Sequence, residues 1–175
     1  RWGQSFATRY RKTLGNSNAW QMLVSGAIYL PGLGLTHNLV LTGSIQSRDT
    51  LNQYAFSDNF PFSRGYRAVN FPRMYKLGVN YHFPIAYPDC GFGQLVYFQR
   101  LRVNAFYDLS VGKSLRTGRT FHFGTLGGEL FFDTRWWNQE PVSFGLRYSR
   151  LLDQQFIGGT KAGYWEIILP VALFR

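Results

Sequence analysis

Residues 76–85 read Lys76-Leu77-Gly78-Val79-Asn80-Tyr81-His82-Phe83-Pro84-Ile85. One parity, from Leu77 through Val79, Tyr81 and Phe83 to Ile85, is wholly aliphatic or aromatic. The other parity is charged, polar or small. Successive side chains of a strand point to opposite faces, so the stretch predicts a strand with one apolar face and one wet face. A soluble antiparallel sheet shows this pattern over a shorter span. A series of such segments, each long enough to cross a bilayer and joined by turns, points to a transmembrane barrel.

The series is there. Apolar parities run through Trp20–Leu30, Leu39–Ile45, Leu101–Val111, Val142–Tyr148 and Trp165–Leu173, and a looser one through Gln4–Lys12 around Phe6 and Tyr10. In 121–136 the apolar parity changes from Phe121 and Phe123 to Leu126, Leu130 and Phe132, which predicts a bulge near Gly127-Gly128. The total is about eight strands, most of roughly the 9–11 residues that a tilted membrane strand needs. Only Val96–Val103 is open to a short helical turn.

Composition agrees with an all-β, antiparallel transmembrane β-barrel filling one domain over residues 1–175. Aromatic residues make up 18% and charged residues only 16%, as expected when half of each strand faces lipid. There is no uninterrupted apolar run of about 18 residues, which a membrane-spanning helix would need. The chain opens on Arg1, almost inside a strand and without an initiator Met, so a C-terminal fragment of a longer polypeptide or a processed product is expected. Cys90 is the one cysteine and reads as an incidental turn residue. The net charge of +10 suits nucleic acid, anionic head groups or an arginine-lined interior. Apolar faces on every strand and the lack of a recognition motif argue against nucleic acid. His37, His82 and His122 are scattered, Gly158-Gly159 lacks the context of a phosphate loop, and no nucleophile–base pair stands out. No enzyme, cofactor or metal is expected.

With Phe174 placed at the periplasmic side, residues 13–18, 49–74, 113–120 and 153–163 connect strands on the outside. Residues 31–36, 86–100 and 136–141 connect them on the inside. Residues 49–74 are far too long for a hairpin turn and carry Phe56, Phe60, Phe62, Tyr66 and Phe71. Such an aromatic loop argues against disorder and is expected to fold into the barrel lumen.

In that loop Ser63-Arg64-Gly65-Tyr66 resembles the Arg-Gly-Phe/Tyr motif of the BamA-type superfamily, the outer-membrane assembly and translocation barrels (bacterial surface antigen barrels). Tyr81-His82-Phe83-Pro84 is similar to the family's Tyr-Arg-Phe-Pro strand ending, with His82 for arginine. Phe106-Tyr107-Asp108-Leu109-Ser110 is similar to its Phe-x-Asp-x-Gly, with Ser110 for glycine. Asn80 stands where the family pattern leads one to expect a glutamate. The resemblance covers nearly the whole chain and implies strands nine to sixteen of a sixteen-stranded barrel, its C-terminal half, with the motif loop in the lumen. It implies insertion or translocation of client proteins through that loop and a weakly closed seam. The implied surroundings are the outer membrane of a Gram-negative-type bacterium, its lipid and lipopolysaccharide, unfolded or translocating clients, and periplasmic accessory domains or lipoproteins.

The residues carry a physical reading of their own. Arg64 in a partly desolvated lumen needs an anionic or carbonyl partner, and Asp108 is one of few acids on a wet parity. An Arg–carboxylate pair fixes orientation as well as supplying attraction. Gly65 permits close approach to the wall, Tyr66 offers a flat surface, and Phe106 lies beside Asp108 on the same strand. An ordinary solvated loop is the other reading of Arg-Gly-Tyr. Pro170 cannot donate to a ladder, so it marks either a weak seam or a bulge. Phe174 ends the strand as an aromatic-terminated insertion signal does, with Arg175 as one extra residue. The alternative architecture is a free-standing closed eight-stranded barrel with a structural, adhesion or narrow-pore role.

Overall fold

Most strands pair with the next strand along the chain, and this local connectivity yields a sheet whose spatial order follows the chain. The computed structural model describes residues 2–14, 19–49, 56, 59–69, 71–93, 95–114, 117–137, 139–153 and 162–169. Its strands are β1 (Gly3–Lys12), β2 (Trp20–Pro31), β3 (Asn38–Arg48), β4 (Arg73–Ala86), β5 (Cys90–Phe92), β6 (Val96–Lys113), β7 (Thr120–Trp136), β8 (Glu140–Leu151) and β9 (Gly163–Ile168). All pairings are antiparallel, in the order β1-β2-β3-β4-β6-β7-β8-β9, with β5 hydrogen-bonded to β6 beside this path. The described residues are thus all-β, in a single sheet.

Four expectations change. There are nine strands among the described residues, because the connection after β4 folds back as short β5. The stretch Val96–Val103 is extended, not helical: Val96, Tyr97 and Phe98 pair with both β5 and β7, and such residues suit a pleated surface. No bulge sits at Gly127-Gly128, since β7 keeps unbroken register with β6 from Phe132 to Thr120 and with β8 throughout their ladder. The irregularities lie instead at Pro84/Ala86 and Phe98/Arg100. Finally, β1 and β9 end the order and do not pair with each other among the described residues, so the closed eight-stranded alternative is not realised.

The two faces differ as the alternation demands. On the outer face Leu77 is 66% exposed, Trp165 74% and Ile167 73%, and no described element covers them. On the inner face Asn104, Asp108, Ser110, Thr125, Glu129 and Ser149 are buried. The described part of the long β3–β4 connection covers that face. Its Phe60 and Phe71 join Met74 and Phe123 in the apolar cluster, with Leu23, Phe62, Tyr66, Val69 and Phe121 against it. Phe123 meets Phe62 and Tyr66 edge to face at centroid distances of 4.9 and 5.4 Å. Phe121 and Phe123 therefore share the inner parity with Thr125 and Glu129. Their apolar character comes from the loop above them, not from a change of face. Gly112 has no side chain because the Phe71 ring fills that space.

Candidate functional site

The loop reaches the sheet through Ser63–Tyr66. Gly65 has φ +81°, a conformation costly for a residue with a Cβ, and an added Cβ would lie 2.9 Å from Ser149 Cβ and 3.0 Å from Leu151 Cδ2. Only glycine lets the backbone turn so close to β8. That turn aims Arg64 down onto β4, β6 and β7.

Arg64 is held on several sides. Its Nε donates to Asp108 Oδ2 at 2.7 Å and its Nη2 to Asp108 Oδ1 at 3.1 Å, the bidentate fork geometry. Nη1 donates to Glu129 Oε1 at 3.1 Å, and Nη2 also donates to Asn80 Oδ1. The guanidinium carbon sits 3.7 Å from the centroid of the Phe106 ring, a cation–π contact closing its flat side. The Arg64 carbonyl accepts from Thr125 Oγ1 at 2.7 Å. Burial disfavours the charge, yet Asp108 and then Glu129 outweigh it and raise the Arg64 pKa above its ordinary value.

Neighbouring loop residues are tied just as specifically. Ser63 N–H donates to Ser110 Oγ at 3.1 Å, and the two hydroxyls lie 2.7 Å apart. The serine found in place of the expected glycine thus supplies a loop contact. Tyr66 OH lies within hydrogen-bonding distance of the Gly124 and Asp153 carbonyls (3.0 and 2.8 Å) and accepts from Asp153 N–H at 3.1 Å. Burial pushes the Tyr66 phenol pKa up. Lys76 Nζ donates to the Phe62 carbonyl at 3.2 Å and stands 3.7 Å from Asp108 Oδ1.

Glu129 is the residue that sequence reasoning missed. Asn80, neutral where a glutamate was expected, contacts Arg64, but the second negative charge comes from β7. Glu129 accepts from Arg64, from Asn104 Nδ2 at 2.7 Å and from Arg147 Nε at 2.6 Å, and Arg147 Nη1 continues to Glu166 of β9 at 3.2 Å. His82, Asn104, Glu129, Arg147 and Glu166 are successive cross-strand partners, one row across the inner face. Counting back by twos from Asp133 puts Glu129, Thr125 and Phe123 on one face, a parity that the apolar Phe121 and Phe123 hide in the sequence. Pro170 and Phe174 lie outside the described residues. The site is a clamp that fixes a loop to three strands, β4, β6 and β7, by charge, hydroxyls and an aromatic face, with Gly65 lying close against β8.

No family model, curated protein or solved structure matches the chain.

Proposed function

We propose that this chain is the C-terminal half of an outer-membrane β-barrel of the protein assembly and translocation type. In this reading the outer face of the sheet meets lipid and the inner face lines a lumen. The clamp around Arg64 holds the long loop there, and the edges of the sheet offer backbone groups to a client strand by β-augmentation. No covalent chemistry is needed.

The apolar outer face supports the membrane part. Aromatic residues bracket it: Tyr10, Trp20 and Tyr75 towards the long loop, and Phe83 with the stacked pair Phe132 and Phe144 at the other end. From Tyr75 to Phe83 the strand climbs ~27 Å at 3.4 Å per residue. A tilt of about 40° reduces this to ~20 Å, near the ~25 Å apolar band of such barrels. The observation that carries the assembly part is the buried Arg64 clamp, built from the residues that resemble the BamA-type motifs.

Reconstitution of the protein in lipid vesicles tests both parts. The protein should resist extraction at alkaline pH and speed insertion of an unfolded outer-membrane barrel, with Arg64→Ala slowing insertion while the protein stays in the membrane. Extraction into plain buffer as a monodisperse protein would overturn the membrane reading. A membrane-embedded protein that inserts clients no faster than empty vesicles would overturn the assembly reading alone.

A further inference from the structure

Away from the long loop, at the opposite end of the inner face, lies a basin of about 650 Å³ whose lining includes Trp2, Tyr29, His82, Tyr87, Arg100 and Arg102. The two arginines share one acid. Arg100 donates to Asp133 Oδ2 from Nε (2.9 Å) and Nη2 (2.7 Å), and Arg102 Nε donates to Oδ1 at 3.2 Å. Ser143 Oγ adds a fourth donor to that carboxylate at 2.7 Å. A carboxylate has about four lone-pair sites, so Asp133 is filled. Arg102 also stacks on Phe131, with its guanidinium carbon 4.6 Å from the ring centroid. The acid and the ring therefore hold both forks in place before any ligand arrives.

What remains is donor capacity and charge. A guanidinium has five N–H groups, and Nη1 of Arg100 and both terminal nitrogens of Arg102 have no protein acceptor among the described residues. Two cations against one carboxylate leave a surplus of one positive charge, beside a basin walled by Tyr29, Tyr87 and Trp2. We infer that this basin binds a monoanionic carboxylate carried on an aromatic body. Asp133 already shows that the two forks accept a planar carboxylate, and a single surplus charge matches a monoanion better than a phosphate dianion. The flat lining accommodates the ring that follows the carboxylate. This site is separate from the Arg64 clamp and rests on neither the membrane nor the assembly reading.

The probes are benzoate, benzyl alcohol and inorganic phosphate, titrated by calorimetry into the whole chain in detergent micelles. Benzoate should bind at least about tenfold more tightly than benzyl alcohol, the difference being the charge-assisted hydrogen bonds. Arg102→Gln should weaken benzoate by about tenfold, whereas Asp133→Asn, which releases both forks, should tighten it by about tenfold. The opposite signs of these two changes set a ligand site apart from a purely structural ion pair. Retained β-sheet circular dichroism checks each variant, and Arg102→Gln is decisive alone if Asp133→Asn does not fold. Equal affinity for benzyl alcohol, or benzoate binding indifferent to Arg102→Gln, would overturn the site. Tighter binding of phosphate than of benzoate would overturn the carboxylate assignment.

Discussion

Glu129 is 5% exposed and sits between two guanidiniums, Arg64 at 3.1 Å and Arg147 at 2.6 Å. Removing its charge leaves two cations facing each other over a neutral amide. Breaking a buried pair by truncating one partner costs about 3–5 kcal/mol, and the partial exposure of Arg147 puts Glu129→Gln near the lower end, about 3 kcal/mol. Asn80 touches the same guanidinium from β4. Adding Asn80→Glu to Glu129→Gln should therefore return most of the lost stability, measured by urea unfolding in vesicles. A double variant no more stable than Glu129→Gln would mean that the acid must stand on β7. The Arg64–Asp108 pairing was legible in the sequence because Arg64 lies in an aromatic loop that needs an anionic partner and Asp108 lies on a plainly wet parity. Glu129 was not, because Phe121 and Phe123 disguised its face: apolar inner residues look like outer ones until the loop that covers them is in view.

At the scale of the strand, alternation located the long elements to within a few residues, except that β6 begins at Val96, five residues before the alternation at Leu101 announces it. It failed where a ladder does not depend on it. Residues 90–92 are too few to show a period, and Val96–Phe98 alternate nothing, since all three are apolar or aromatic. On the membrane reading proposed above, register, which alternation does not provide, decides how deep each outer residue lies. Val79 pairs with Leu41 and Tyr107, midway between the aromatic positions Tyr75 and Phe83. Val103 pairs with Phe83 and Leu130, close to one end. Val79→Arg should then cost about 2–4 kcal/mol and Val103→Arg only about 0–1, because the penalty falls steeply towards the interface. Unfolding free energies in vesicles check the contrast. Equal costs at the two positions would mean that this face does not lie across a bilayer.

The whole sheet is a meander in which each strand is held mainly by its two neighbours, and for such a connectivity the order of strands follows from the turns alone. The long loop breaks that locality. Through Ser63, Arg64, Gly65 and Tyr66 it binds or touches β4, β6, β7 and β8 from one side. The sequence announced the loop by its length and aromatic content, but the strands it would reach depended on register. By contrast β9, six residues at the edge of the order, meets this network among the described residues only through Arg147 and Glu166.

Under mechanical load that asymmetry becomes a sequence of events. On the membrane reading, a chain drawn out of a bilayer by its C-terminal end should yield β9 first, at low force, since among the described residues a six-residue ladder, the half-exposed Arg147–Glu166 pair and the Tyr148–Trp165 ring contact hold it. The next strands cannot all peel one by one, because the loop rivets β7 to β4 and β6 and, through Tyr66, holds Asp153 just past the end of β8. They should hold and then give way together in one large rupture, which Arg64→Ala would split into smaller steps. Single-molecule pulling would register this as a merged force peak. Evenly spaced peaks in the unaltered protein, one per hairpin, would show that the rivet bears no tension.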